Sequence, residues 1–175
     1  MKTVYFVLDC MRPVLVASPI KPSIRRLLKG AIAGFMATVP MSATMLLGWG
    51  LLPKREKYPL PPRLITEEIT KRMQLEEHLN EESLIGLTIV SHFGYGALIG
   101  SIYALFERWV PGYPSFKGVM TGIAIWVGSY LGWLPAMRIL SPATQHPWRR
   151  NLLMIVAHVI WGVTLGEGVR KLSAN

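Results

Sequence analysis

The sequence predicts an all-α membrane protein, a four-transmembrane-helix bundle. Of its 175 residues 51% are apolar, and they fall into four runs, each close to the ~20 residues that cross a bilayer core of about 30 Å. Within these runs, charged side chains occur only near the ends. Because a water-facing helix would carry charges along one face, we expect all four helices to face lipid.

The four runs define the predicted organisation of the chain. The predicted crossings are residues 27–52, 84–106, 118–136 and 151–169. They lie within one transmembrane domain over residues 24–170, between an N-terminal tail, 1–23, and a C-terminal tail, 171–175. Asp9, Arg12 and Pro13 interrupt the apolar stretch of the first tail, so we expect it to be retained rather than cleaved as a signal peptide.

The basic residues indicate contact with lipid headgroups. The net charge is +9, but Lys and Arg crowd the ends of the apolar runs, as in proteins whose partner is the lipid bilayer. We therefore expect no nucleic-acid partner. Four crossings place both termini on one side, and because the basic residues divide almost evenly between the two sides, the expectation of cytoplasmic termini rests on a small difference.

The loop between the first two crossings is predicted to hold a short amphipathic loop helix. Two prolines suit its first turn, apolar residues recur every four positions, and oppositely charged residues are spaced for pairing along the helix. These are Pro61 and Pro62; Ile65, Ile69 and Met73; and the pairs Glu67 with Lys71 and Glu68 with Arg72.

An internal repeat links the two halves of the chain. Residues 89–100 and 155–166 share the pattern I-V-small-H-x-x-aromatic-G-x-x-x-G, and residues 29–34 resemble residues 117–122. Two matches in the same order predict two duplicated helical hairpins. Since each hairpin has an even number of crossings, their pseudo-twofold axis would run along the membrane normal.

Glycines spaced four apart are predicted to form the helix contacts. Small residues let backbones approach closely where no hydrophobic force acts between helices. The predicted packing positions are Gly30, Gly34, Gly96, Gly100, Gly118, Gly122, Gly162 and Gly166. Gly128 and Gly132 have the same spacing. We expect tight internal packing, a homodimer or a contact with another membrane subunit.

Two histidines are the candidate functional residues. His92 and His158 each precede two of these glycines by four and eight residues, so both should face into the bundle at one depth. They could form a buried polar core with Tyr95, Trp161 and Ser129, hydrogen-bonded to Ser129, Thr38 or a carbonyl near Pro40. They could instead bind protons or a small solute, or ligate haem or a pigment.

The sequence offers no catalytic constellation. It lacks a Ser-His-Asp pattern, paired intramembrane carboxylates and a phosphate-binding loop, and Cys10 is its only cysteine. We therefore expect no enzyme activity, no catalytic residues, no metal site and no resident cofactor.

Three segments carry a family resemblance. They are residues 30–34 followed by Thr38-Val39-Pro40-Met41, residues 92–96, and His146-Pro147-Trp148-Arg149-Arg150-Asn151. In these the chain resembles small uncharacterised bacterial inner-membrane proteins of the YagU-like kind. The resemblance implies a multi-pass protein of the bacterial inner membrane and supplies no established activity.

The leading functional expectation is a non-enzymatic structural or assembly role. The alternative is a small proton-linked transporter or channel working as an oligomer, and the second alternative is a haem- or pigment-binding membrane subunit that uses His92 and His158. Transport predicts a hydrated path past the two histidines, whereas an assembly role predicts a dry, fully packed interior.

Overall fold

The computed structural model describes residues 24–174, which are largely helical and contain no strand. The predicted N-terminal tail, with Cys10, lies outside the described residues, as does Asn175. Four helices of the described chain are long and apolar enough to cross a membrane. The predicted class, an α-helical bundle with four candidate transmembrane helices, is confirmed.

The helices are α1 (Ile24–Leu51), α2 (Pro61–Arg72), α3 (Glu81–Phe106), α4 (Pro114–Val127) and α5 (Trp148–Ala174). After Val127, α4 continues through a π-helical turn, Gly128–Trp133, into a last α-helical turn, Leu134–Ala136. Short 3-10 turns lie at Lys54–Glu56, Glu76–His78, Glu107–Trp109 and Ala143–Gln145. The short helix α2 is the predicted loop helix, and the other four are the long helices.

Local sequence explains where these helices begin. The side-chain oxygen of Asn80 accepts a hydrogen bond from the backbone N–H of Ser83 at an N···O distance of 2.8 Å and so caps α3. Glu81 and Glu82 follow in its first turn, where negative charge is favourable. The helix therefore starts before its apolar run does. Prolines occupy the first turns of α2 and α4, where their missing N–H has no helical partner to lose.

Glycines bring α1 and α3 into backbone contact. A Cβ added to Gly34 would overlap the carbonyl oxygen of Gly96, and one added to Gly100 would overlap that of Gly30. The same type of contact joins α4 to α5, where a Cβ on Gly118 would overlap the carbonyl oxygen of Gly162. In both pairs of helices, glycine is required by the distance between the backbones.

The two glycine contacts differ by one helical turn in register. Gly34 meets the carbonyl of Gly96, whereas Gly122, its counterpart in the predicted repeat, meets the carbonyl of His158 rather than that of Gly162. Gly166 reaches the carbonyl of Pro114 at the start of α4. The glycines at 128 and 132 take no part, because a Cβ on either would meet nothing within 4 Å.

A third interface joins the hairpins, between α1 and α5. Ala33, Ala37 and Met41 of α1 belong to the same buried cluster as Ala157 and Leu165 of α5. The helices thus pack in the order α3–α1–α5–α4, and α3 has no comparable interface with α4. The bundle is consequently open between α3 and α4.

The short helix α2 bridges this opening on the side of the loops at 52–80 and 137–147. It packs against α3, and the guanidinium of Arg63 donates to Glu81 at 2.7 Å. At its other end, Arg72 donates to the carbonyls of Met137 and Arg138, just after α4, at 2.8 and 2.7 Å. Arg72 also pairs with Glu68, as expected from the sequence.

One ion pair predicted within α2 is replaced by a different one. Glu67 pairs with Arg63 rather than with Lys71, so a single guanidinium serves both Glu67 and Glu81. Ile65 and Ile69 turn towards the opening between α3 and α4, whereas Met73 is 63% exposed. The amphipathic face of α2 therefore covers the interior of the bundle.

Candidate functional site: a cavity between α3 and α4

The opening between α3 and α4 encloses a cavity of about 240 Å³. All five helices contribute to its walls. The lining residues are Thr38, Met41 and Met45 of α1; Pro62, Ile65 and Ile69 of α2; Ser91, His92, Tyr95, Gly96 and Ile99 of α3; Ile125, Ser129, Tyr130, Trp133 and Leu134 of α4 and its continuation; and His158 and Trp161 of α5. Both candidate histidines line this one cavity.

His158 is held in a defined orientation by its own helix. It is buried, and its Nδ1 lies 2.7 Å from the carbonyl oxygen of Met154. A carbonyl can only accept, so Nδ1 carries the proton and Nε2 of the neutral ring has the free lone pair. The ring of Tyr130 meets the imidazole edge-on, with centroids 6.1 Å apart.

His92 presents an unpaired polar atom. Its Nε2 is buried and has no hydrogen-bond partner, although the side chain lines the cavity. Phe93 lies edge-on to the ring at a centroid separation of 6.1 Å. A buried nitrogen without a partner costs about 1–3 kcal/mol, so a hydrogen-bonding group placed in the cavity would stabilise it.

The prediction that the histidines form hydrogen bonds to Ser129, Thr38 or a carbonyl near Pro40 is wrong, because His92 Nε2 has no partner and the other three groups bond elsewhere. His158 bonds within α5, Thr38 donates to the carbonyl of Gly34, and the hydroxyl of Ser129 accepts from the indole of Trp133 at 3.3 Å. The structure does place Ser129, Tyr95 and Trp161 on the cavity wall with both histidines.

The π-helical turn shapes one wall of the cavity. Gly132 inside it has φ −111° and ψ −107°, outside helical values, and π turns of this kind are frequent at functional sites. Ser129, Tyr130 and Trp133 all lie in this turn and face the cavity. Sequence reasoning missed it, although a proline at 135 inside a long apolar run signals a disturbed helix.

None of the cavity-lining residues is Asp, Glu, Lys or Arg. The polar atoms on the wall come from two imidazoles, from hydroxyls such as those of Ser91 and Thr38, and from aromatic residues. Within residues 24–174, no group of three or more His, Cys, Asp or Glu side chains could hold a metal ion. The wall thus combines an apolar surface with a few hydrogen-bonding groups, the usual composition of a small-molecule site.

A second polar cluster lies at the start of α5. The guanidinium of Arg150 is buried and donates to the backbone carbonyls of Glu56, Tyr58 and Pro59 at 3.1, 2.9 and 2.8 Å. It also lies over the ring of Tyr58, 3.6 Å from the centroid. Arg150 is therefore not the headgroup contact predicted from the sequence, because it binds the loop that precedes α2.

Tyr58 and His146 complete this second cluster. His146 uses Nε2 to donate to the carbonyl of Ser141 at 3.1 Å, so its Nδ1 accepts the hydroxyl proton of Tyr58 at 2.7 Å. Burial lowers the pKa of His146 and raises the pKa of Tyr58, which keeps both groups neutral. Asn151 donates to the carbonyl of Ala143 at 2.7 Å. The cluster fastens the two loops on this side to each other.

Glu56 is also buried beside this cluster. One of its carboxylate oxygens lies 3.6 Å from the guanidinium of Arg149, and the other has no hydrogen-bond partner. The side chain of Arg149 is 45% exposed, so it can also reach the surroundings, where headgroup contact is expected.

The family described as "Protein of unknown function (DUF1440)" matches residues 40–166. The chain belongs to this family. The match spans both histidines, the π-helical turn, α2 and the Arg150 cluster. No curated protein and no solved structure matches the chain. The family's function is unknown, and the four candidate membrane helices fit a membrane protein.

Proposed function

We propose that this DUF1440 protein is a non-enzymatic membrane protein that holds a small solute in the cavity between α3 and α4, as a step in proton-linked transport. The single observation that carries the proposal is the unpaired, buried Nε2 of His92 on the wall of a cavity that also contains His158. Four described side chains carry a buried polar atom without a hydrogen-bond partner, and His92 is the one among them that lines the cavity. A ligand in the cavity could therefore pair with this nitrogen.

The position of the histidines supports a role in transport. His92 lies eleven residues after the start of α3 and His158 ten residues after the start of α5, or roughly 15 Å along each helix. Ionisable residues inside membrane helices commonly mark the paths of solutes or protons. Imidazole is the side chain that exchanges a proton most readily near neutral pH.

The structural or assembly role is the second candidate, and the glycine contacts favour it. They make two rigid helix pairs, α1 with α3 and α4 with α5, and such pairs suit a scaffold. These faces are used within the chain, so a homodimer or a membrane partner would use other surfaces. A scaffold, however, gives no reason for the cavity at His92 and His158.

We also propose that the chain arose by duplication of a helical hairpin and that it resides in the bacterial inner membrane. The equivalent use of glycines in the two helix pairs supports two repeated hairpins, with a difference of one turn in register. The YagU-like resemblance supports the bacterial inner membrane, and the expected orientation has cytoplasmic termini.

The accessibility of the cavity to water distinguishes the transport role from the assembly role. We would replace Cys10 by Ser and then introduce either Ser129→Cys or Ser42→Cys. Ser129 lines the cavity, whereas Ser42 has a buried hydroxyl outside it, so the two exchanges are chemically matched. A small methanethiosulfonate reagent reacts with thiolate in contact with water.

For a solute-binding protein in liposomes, we expect the thiol at 129 to react and the thiol at 42 to remain unmodified. If both thiols stay unmodified while the detergent-unfolded proteins react fully, the interior is dry. That result would reject proton-linked transport, because a proton path past the two histidines needs water, and it would favour the assembly role.

A further inference from the structure

We infer that the ligand of this cavity is a small, uncharged, mainly apolar molecule with one hydrogen-bonding group, and that it enters from the bilayer between α3 and α4. The inference rests on the proposed function, because it names the class of solute that the same cavity accepts. It follows from the chemistry of the cavity wall, from the size of the cavity, and from the elements that cover the cavity on the α2 side and between α3 and α4.

The chemistry of the wall disfavours a charged ligand while both imidazoles are neutral. The lining contains no Asp, Glu, Lys or Arg, so an ion would then lose its hydration without gaining a counter-charge, a cost of several kcal/mol in real proteins. Met41, Met45, Ile99 and Trp161 offer apolar surface instead. Polarisable methionines and aromatic rings favour a flat or aromatic apolar body.

The unpaired nitrogen of His92 specifies one polar group on the ligand. Neutral imidazole can donate or accept at Nε2, depending on the tautomer, so a hydroxyl can pair with it in either state. Because Nε2 is buried and otherwise unpartnered, a ligand without a polar group leaves it unsatisfied. A hydroxylated ligand should therefore bind more tightly than its purely apolar analogue.

The size of the cavity limits the ligand to a small molecule. A volume of about 240 Å³ lies below the roughly 300–1,000 Å³ of sites that hold drug-sized compounds. A single aromatic ring with one hydroxyl group is a suitable probe.

The route follows from the placement of α2. On the loop side, Pro62, Ile65 and Ile69 cover the cavity, and α2 is fastened to both α3 and the end of α4 by Arg63 and Arg72. Between α3 and α4 there is no comparable cover. These two helices carry the cavity-lining residues Tyr95 and Trp133, which are 38% and 41% exposed.

The first experiment measures ligand class on the full chain in lipid nanodiscs. Phenol, toluene and benzoate share one ring and differ in their polar group, and benzoate is charged at neutral pH. Binding is followed by the fluorescence of Trp133 and Trp161, which line the cavity. Empty nanodiscs and the cavity-filling variant Ile125→Trp correct for partition into lipid.

We expect phenol and toluene to bind and benzoate not to bind. His92→Leu should weaken phenol about fivefold, the worth of one ordinary hydrogen bond, and leave toluene nearly unchanged. The control Leu98→Ala removes a lipid-facing side chain of α3 that is 56% exposed and should change neither affinity. Benzoate binding as tight as that of phenol, or equal phenol affinity in wild type and His92→Leu, would overturn the ligand class.

The second experiment tests the route by the rate of phenol binding. Arg72→Ala removes the hydrogen bonds that fasten α2 to the end of α4. If phenol enters between α3 and α4, its association rate should stay within twofold of wild type. A large increase in that rate would show access through α2 and would overturn the lateral route.

These outcomes are distinguishable from failure of the proposed function itself. A cavity that binds charged benzoate still contains a solute, and the thiol at 129 still reacts, so the inference fails while the proposed function stands. A dry interior, with no reaction at 129 and no binding of any probe that Ile125→Trp abolishes, would reject both.

Discussion

The hydroxyl of Tyr58 donates to Nδ1 of His146 across 2.7 Å, joining the loop before α2 to the loop before α5. The residues lie 88 positions apart in the chain. Because His146 also donates from Nε2 to Ser141, both ring nitrogens are used by the neutral imidazole. A second ring proton would remove the acceptor that Tyr58 needs.

Stability should therefore depend on pH through His146. Burial places the folded-state pKa of His146 below its ordinary value, so between about 6.5 and that lowered pKa the unfolded chain binds more protons than the folded one. The free energy of unfolding should fall as pH decreases through this window and become independent of His146 below it. Thermal unfolding of wild type and His146→Gln at several pH values measures the effect, and identical pH dependence would contradict it.

Removal of the Arg150 side-chain charge should destabilise the fold strongly. Arg150→Met keeps most of the apolar stem but loses three hydrogen bonds to loop carbonyls. Since hydrogen bonds to charged groups contribute about 1.5–3 kcal/mol each and the loop can recover some water, we expect a loss of about 3 kcal/mol. Denaturation in mild detergent provides the measurement.

An exposed arginine of the same helix is the matched control for that substitution. Arg170 is 55% exposed and pairs with the partly exposed Glu167 at 2.8 Å, so Arg170→Met should cost no more than about 1 kcal/mol. Equal losses for the two substitutions would mean that the buried hydrogen bonds of Arg150 contribute nothing specific.

Alanine at the close helix contact should separate α1 from α3. The Cβ of Gly34→Ala would overlap the carbonyl of Gly96, so the helices must move apart, at a cost of about 1–3 kcal/mol. Gly94→Ala is the control, because a Cβ there meets nothing within 4 Å and alanine is the better helix former by up to about 1 kcal/mol. Opposite signs of the two effects on unfolding temperature are expected, and a stabilising Gly34→Ala would contradict the contact.

The purified protein should show no Soret band. A cavity of about 240 Å³ at the two histidines is smaller than the roughly 300–1,000 Å³ sites that hold drug-sized ligands, and a haem is larger than most of those ligands. Absorption spectra of the protein from membranes, before and after reduction, check this expectation. A Soret band that both His92→Ala and His158→Ala abolish would instead establish a haem or pigment protein.

The long helices could be predicted from sequence because lipid imposes a simple rule, an uninterrupted apolar run at each crossing. The inward orientation of His92 and His158 could also be predicted, from their spacing to the glycines, and both residues line the cavity. The cavity itself did not follow, because it depends on which pairs of helices fail to pack. Hydropathy predicts headgroup contact for both Arg149 and Arg150. The two cannot be distinguished from sequence, because only the tertiary fold places Arg150 against backbone carbonyls.

The helix α2 belongs to the connection inside the first helix pair, yet Arg72 fastens it to the end of α4 in the second pair. If the two pairs arose from one ancestral hairpin, this attachment is possible only after the halves became a single chain with unequal connections. Lengthening a surface connection costs little conformational entropy. An inserted loop helix could thus close one side of the cavity of a symmetric ancestor and leave the other side accessible. The membrane-spanning helices themselves would not have to change.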